Sequence, residues 1–247
     1  MNEHTTVKQS PDTSGTTSRL RIALGFPEWH PFFQVMNNEP ADATYVIQGN
    51  LARGLISRGF DLAFMAPINL TDVVYTNDPR QPALASRTWS TRSWFDVLSK
   101  GVWAIQRLIG APYLNVFSNL RYYDGFLHAL PGINLVYERN GLYNSGLAMA
   151  CQRLGIPYVV FFEADQIMEL DIMGKPLSGL LLWRARQLLR YNLSVADCVI
   201  CVSDVGRQHL VEEWDIPAHK IVVFPNAVDV EKFKANAEWR TKIRSQL

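Results

Sequence analysis

Six short, almost continuous apolar runs punctuate the chain: Leu20–Leu24, Leu62–Ala66, Ile133–Tyr137, Tyr158–Phe162, Cys198–Val202 and Ile221–Phe224. A strand with one face in water alternates apolar and polar residues. Runs apolar at every position predict parallel strands covered by helices on both sides. Helical stretches fall between them. Gln48–Ser57 is closed by Gly59 in the place of a C-terminal glycine cap. Leu142–Leu154 is stopped by Gly155 with Pro157 just beyond, and Leu180–Leu193 and Val205–Glu213 complete the set. The alternation predicts an α/β fold, a doubly wound and mostly parallel sheet with helices on both faces, Rossmann-like in outline. Residues Asp72–Tyr123 break the rhythm and read as an excursion carrying specificity, since long departures in compact domains are usually functional or disordered.

In an open α/β sheet a ligand sits outside the carboxyl ends of the strands. The residues just after the runs are therefore the candidates: Gly25, Phe26 and Pro27; Pro67; Glu138, Arg139 and Asn140; Glu163, Ala164 and Asp165; Ser203 and Asp204; Pro225 and Asn226. Carboxylates and amides accept and donate as polyols require. Ser203, just before a helix, suits an N-cap or a loop that turns backbone donors toward a phosphate. No GxGxxG follows the first run, and no Walker A loop, GxSxG elbow or HExxH occurs. The common dinucleotide, NTPase, hydrolase and zincin chemistries lose support accordingly. The five histidines show no metal-ligand spacing, so no metal is expected.

Composition bounds the rest. The 247 residues carry 24 Lys+Arg against 23 Asp+Glu, a net charge of +1 with no global field for nucleic acid. At about 150 residues per domain the length corresponds to roughly 1.6 domains. The 19 polar-rich N-terminal residues hold no signal-like apolar core, and residues 1–18 read as a disordered tail. No run approaches the ~18 apolar residues of a membrane span. Three cysteines, an odd number, argue for a reducing compartment and a cytoplasmic location. Cys198 and Cys201, three apart on a strand, point to opposite faces.

The stretch Ala196-Asp197-Cys198-Val199-Ile200-Cys201-Val202-Ser203, continued by Lys220-Ile221-Val222-Val223-Phe224-Pro225-Asn226-Ala227-Val228-Asp229 and Phe233, resembles the end of the N-terminal domain of family 4 glycosyltransferases, enzymes of GT-B fold. Val136-Tyr137-Glu138-Arg139, Arg153-Leu154-Gly155-Ile156-Pro157, and Leu51-Ala52-Arg53-Gly54-Leu55 with Arg58-Gly59 are similar to the same family. Where members usually carry a glycine pair, the first loop here reads Gly25-Phe26-Pro27-Glu28-Trp29-His30, and Ala227 replaces the usual glycine after Pro225-Asn226.

The resemblance implies an acceptor-side Rossmann-like domain over residues 19–225, with 226–247 as interdomain linker and stub of a donor domain. It further implies the acceptor-binding half of a retaining, metal-independent glycosyltransferase, inactive alone, that moves a sugar from a nucleotide-diphosphate sugar to a glycan or lipid-linked acceptor. No cofactor is implied beyond that co-substrate. A separate C-terminal donor-binding half is an expected partner. The other reading is a non-catalytic sugar- or lipid-binding module derived from such an enzyme. By order along the chain Glu138 lies near the catalytic-site histidine of many members, with Gly25, Phe26, Arg139, Asn140, Glu163 and Asp165 on the acceptor side and Ser203, Arg207 and Asn226 toward the donor.

Two further expectations come from the residues. Glu138, after its strand, stands at the cleft rim, where Glu163 could approach it and two carboxylates in a dry site would raise one pKa; alternatively Glu138 pairs with Arg139 or Arg153 and ties strand to helix. Trp94, Leu98, Val102, Ile105 and Ile109 recur at helical spacing with Arg92, Lys100 and Arg107 around them and Asp96 alone opposing, while Arg184, Arg186 and Arg190 sit in Leu180–Leu193. Such a pattern is either a core face with a solvated rim or a peripheral contact with the inner face of a membrane.

Overall fold

The structure is a computed structural model that describes residues 20–139, 141–226 and 237–246. The expected tail, Asn140, and Ala227, Val228, Asp229 and Phe233 of the resembling stretch lie outside the described residues. Eight strands form one sheet: β1 (Arg21–Gly25), β2 (Asp61–Ile68), β3 (Asp72–Thr76), β4 (Ala83–Leu84), β5 (Leu135–Arg139), β6 (Tyr158–Phe162), β7 (Cys198–Cys201) and β8 (Ile221–Val223). Their order is β4-β3-β2-β1-β5-β6-β7-β8, parallel throughout except for the antiparallel β2–β3 and β3–β4 pairs.

Helices cover both faces. Ile22 and Leu24 of β1 and Leu62 and Phe64 of β2 pack with Phe32, Tyr45 and Ala52 of α1 (Trp29–Met36) and α2 (Ala43–Ser57). The alternate residues Ala23, Ala63 and Met65 face the larger core. There they meet Phe126 of α4 (Val116–Ala129), Leu147 and Cys151 of α5 (Gly146–Leu154), Leu193 of α7 (Gly179–Val195) and Leu210 of α8 (Asp204–Glu212). β1 and β2 thus bury both their odd and their even side chains, which is why their runs contain no polar alternation. Gly59 and Gly155 end their helices at φ +81° and +66°, a region that side-chain-bearing residues avoid.

The runs locate the strands well but misplace the third by two residues. Ile133 is buried in a turn whose amide bonds to Leu130 O, and Asn134 caps the sheet by exchanging bonds with Arg21. Glu138 and Arg139 are consequently inside β5 rather than after it. Helix α2 begins at Ala43, five residues before the expected start, and α1 was not anticipated at all, although Trp29, Phe32 and Val35 are buried at helical spacing.

The excursion Asp72–Tyr123 adds the antiparallel strands β3 and β4 to the sheet edge, then α3 (Ser93–Leu108) and the first turns of α4. Buried Asp124 fastens it, accepting from Thr88 N (2.9 Å), Ser90 N (2.9 Å) and Thr88 Oγ1 (3.1 Å). Desolvation alone would raise its pKa, but the bonds from Ser90 and Thr88 hold the carboxyl below the usual range. Within α3 only Phe95 is buried, edge-on to Trp89 (5.2 Å) and Phe117 (5.4 Å).

Candidate functional site

The order of strands reverses between β1 and β5, and the carboxyl edge there is where a doubly wound sheet opens a crevice. β5 sorts its last two side chains to opposite faces. Arg139 joins Tyr137 on the α2 side, while Glu138 joins Val136 over the α5 side. Glu138 and Arg139 are therefore separated by the sheet, as the alternation of strand side chains requires.

On the α2 side lies a pocket of about 310 Å³. Arg139, Leu142 and Phe161–Ala164 form its floor, Asp42 and Thr44 at the start of α2 close one side, and Gln166, Glu169 and Met173 around α6 (Gln166–Ile172) close the other. Arg139 Nε pairs with Glu163 Oε2 at 3.2 Å, and Thr44 Oγ1 donates to Glu163 Oε1 at 3.4 Å. The Arg139 guanidinium lies 5.4 Å from the centre of the Tyr45 ring, which fixes its plane. Burial, with the charge of Glu28 adding, pushes the Tyr45 hydroxyl up to about 12, so it is neutral and can both donate and accept. Tyr137 stacks on Phe161 at 6.0 Å beneath. The pocket therefore offers three carboxylates against one guanidinium over a floor of aromatic and aliphatic surface.

Glu138 is not at the rim. It is 4% exposed and accepts a short hydrogen bond from the Tyr158 hydroxyl. Burial pushes its carboxyl up to about 7, with the Tyr158 bond acting the other way. Neither expected arrangement of this residue holds: Glu163 bonds to Arg139 on the other face, and the partner of Glu138 is Tyr158 rather than an arginine. Gly25 and Phe26 also belong to the interior. A Cβ on Gly25 would come within 2.5 Å of Leu147 Cδ2 and 3.2 Å of Glu138 Cγ, and Phe26 stacks on Phe32 at 3.8 Å. The aromatic ring fills core space, so Phe26 itself is not presented to a ligand.

Asp165 is committed to the fold. One carboxylate oxygen caps α6 by accepting from Ile167 N (2.9 Å) and Met168 N (3.3 Å). The other meets His209 Nε2 (2.9 Å) and Trp214 Nε1 (3.0 Å). Ser203 caps α8 through Gly206 N at 3.1 Å. Arg207 and Asn226 are exposed at the carboxyl ends of β7 and β8, outside the pocket. Of the residues expected from sequence, the structure brings Arg139 and Glu163 together. It adds Asp42, Thr44, Tyr45, Gln166 and Glu169, of which Asp42 carried a readable signal as an N-cap residue ahead of an apolar-periodic stretch. Among the described residues no group of His, Cys, Asp or Glu is arranged to hold a metal ion, and no helix is long and apolar enough to cross a membrane.

No curated protein matches the chain. Among solved structures it is similar to a glycosyltransferase from Rickettsia africae ESF-5, with 13% identity and a TM-score of 0.48 over 93% of this chain and 49% of that one. The chain thus spans about half the length of that protein. The model of the glycosyl transferase 4-like domain matches residues 43–227, from the first turn of α2 past the end of β8, and therefore takes in Thr44, Arg139 and Glu163 together. With most of its length so matched, the chain belongs to the glycosyl transferase 4-like domain family.

Proposed function

We propose that this domain is the acceptor side of a GT-B glycosyltransferase, and that the pocket around Arg139 and Glu163 receives the hydroxyl-bearing end of a glycan or lipid-linked acceptor. The observation that carries the reading is the lining. Glu163, held by Arg139 and Thr44, and the nearby Asp42 and Glu169 accept hydrogen bonds from hydroxyls, while Phe161, Phe162 and Leu142 meet the CH faces of a sugar. An excess of carboxylates repels a diphosphate, whose desolvation needs positioned cations and backbone donors. The nucleotide-sugar donor accordingly binds to a separate domain. Retaining transfer across a water-excluding cleft between the two halves requires both.

Two measurements test this. Calorimetric titration of the chain with UDP-, GDP- and ADP-sugars is expected to be flat. Chemical-shift mapping with an oligosaccharide panel is expected to move Thr44, Arg139 and Phe161–Ala164. Glu163→Gln should weaken saccharide binding by about tenfold, the worth of a hydrogen bond to a charged group. Its melting temperature should fall by a few degrees at most, because the pair is partly exposed. Micromolar nucleotide-sugar binding with silent saccharides would overturn the assignment.

A further inference from the structure

Helix α3 carries its apolar face outward. Trp94, Val97, Leu98, Ile105 and Leu108, with Ile109 just after the helix, are each at least half exposed, Leu108 at 86%. At 3.6 residues per turn they occupy a continuous arc of about 120°, interrupted by Gly101 alone. One flank of the helix is the packed one, about 80–140° round from the arc's centre, where Phe95 is buried and Ser99, Val102 and Gln106 are half-buried. The sequence pattern expected of a core face is thus present, with no part of the described domain covering it.

The charges beside this arc have one sign. Lys100 and Arg107 lie beyond one edge of the arc, about 120° and 140° from its centre, and Arg92 precedes the helix, all exposed. Arg107 lies 5.5 Å over the ring of Trp103. The acid of the helix, Asp96, is taken up by Arg121 Nη2 at 3.0 Å. Among the described residues Arg92, Lys100 and Arg107 make no ion pair. The turn after α3 is tied to α7, whose Arg184 Nε donates to Leu114 O at 3.1 Å, and the first turns of α7 add half-exposed Leu180 and Trp183.

We propose that α3 is a membrane-surface helix, lying in the interface of an anionic bilayer with Trp94, Leu98, Ile105 and Ile109 in the acyl boundary and Lys100 and Arg107 among the headgroups. A convex ridge about 24 Å long fits a deformable lipid surface. Pairing with a second copy would set two cationic edges together with no free carboxylate on the helix to neutralise them. Exposed Trp94, at the start of the arc, suits an interface, where an indole keeps its ring apolar and its N–H wet.

Sedimentation of the full chain with phosphatidylcholine vesicles, with and without phosphatidylglycerol, tests the proposal. The chain is expected to bind the anionic vesicles at low salt and to release at high salt. Leu98→Ser with Ile105→Ser should lower binding at least tenfold. Lys100→Gln with Arg107→Gln should lower it about 25-fold on the anionic vesicles alone, at about fivefold per charge. Both double variants alter exposed side chains, so their melting temperatures are expected to match the wild type, and that measurement checks that the fold is retained. Absence of binding at low salt, or binding that both variants keep, overturns the proposal. So does a concentration-dependent dimer that Leu98→Ser with Ile105→Ser abolishes, which would assign the face to a second copy.

Discussion

Glu138→Gln should stabilise the protein increasingly as pH rises from about 5 to 8, while leaving it nearly unchanged at pH 4. The carboxyl has a pKa of about 7 in the folded chain against 4.5 unfolded, because burial disfavours its ionised form. Below pH 4.5 both states are protonated and the group has no pH-dependent effect. Between 4.5 and 7 the unfolded chain releases the proton while the folded chain keeps it, so the wild-type protein loses stability as pH rises. Above 7 both are ionised and the loss is complete, on the order of 3 kcal/mol. Glutamine cannot ionise, and its carbonyl still accepts from Tyr158. At pH 8 the variant should therefore melt roughly 6–10 °C above the wild type. Parallel melting curves for the two proteins from pH 4 to 9 would show that Glu138 is solvated and stands at the cleft after all.

Asp165→Ala should destabilise the chain by about 3 kcal/mol and flatten the pocket wall. Its side chain is 7% exposed and joins three elements: the loop after β6, the start of α6, and α8 with the following Trp214. The lost cap costs about 1 kcal/mol, and an orphaned indole N–H with an orphaned imidazole adds about 1–3 kcal/mol. Since Gln166, Glu169 and Met173 of the α6 region line the pocket, the same change should weaken saccharide binding even in the molecules that stay folded. Asp165→Asn keeps one acceptor oxygen for the cap but turns an NH2 toward the Trp214 indole N–H, so it should recover only about 1 kcal/mol. Urea unfolding separates the two variants, and equal midpoints would mean that the cap does not hold α6.

The legible part of this protein is what neighbouring residues determine among themselves. A parallel strand covered on both faces needs apolar side chains at every position, so all six strands with a parallel neighbour announce themselves within two residues: β1, β2, β5, β6, β7 and β8. Gly59 and Gly155 stop helices because a positive φ is a property of one residue, and Ser203 caps α8 through an amide three positions away. The motif pattern from Leu51 to Ala227 is likewise readable as that of the matched family.

The chemistry of the strand ends was not legible, because it turns on a single residue of register. Once β5 runs to Arg139, Glu138 goes to the interior and Arg139 to the pocket, and that register is set by pairing with β1 and β6 rather than by the run itself. Glu163 finds Thr44 across 119 residues, a contact no local pattern encodes. Asp165 looked free after its strand and is spent on α6 and α8. Helix α3 shows the limit most directly: its periodicity is the same whether its apolar arc is covered or bare. Periodicity specifies an arc along a helix, and what lies against that arc depends on where the sheet, α4 and α7 place their own surfaces.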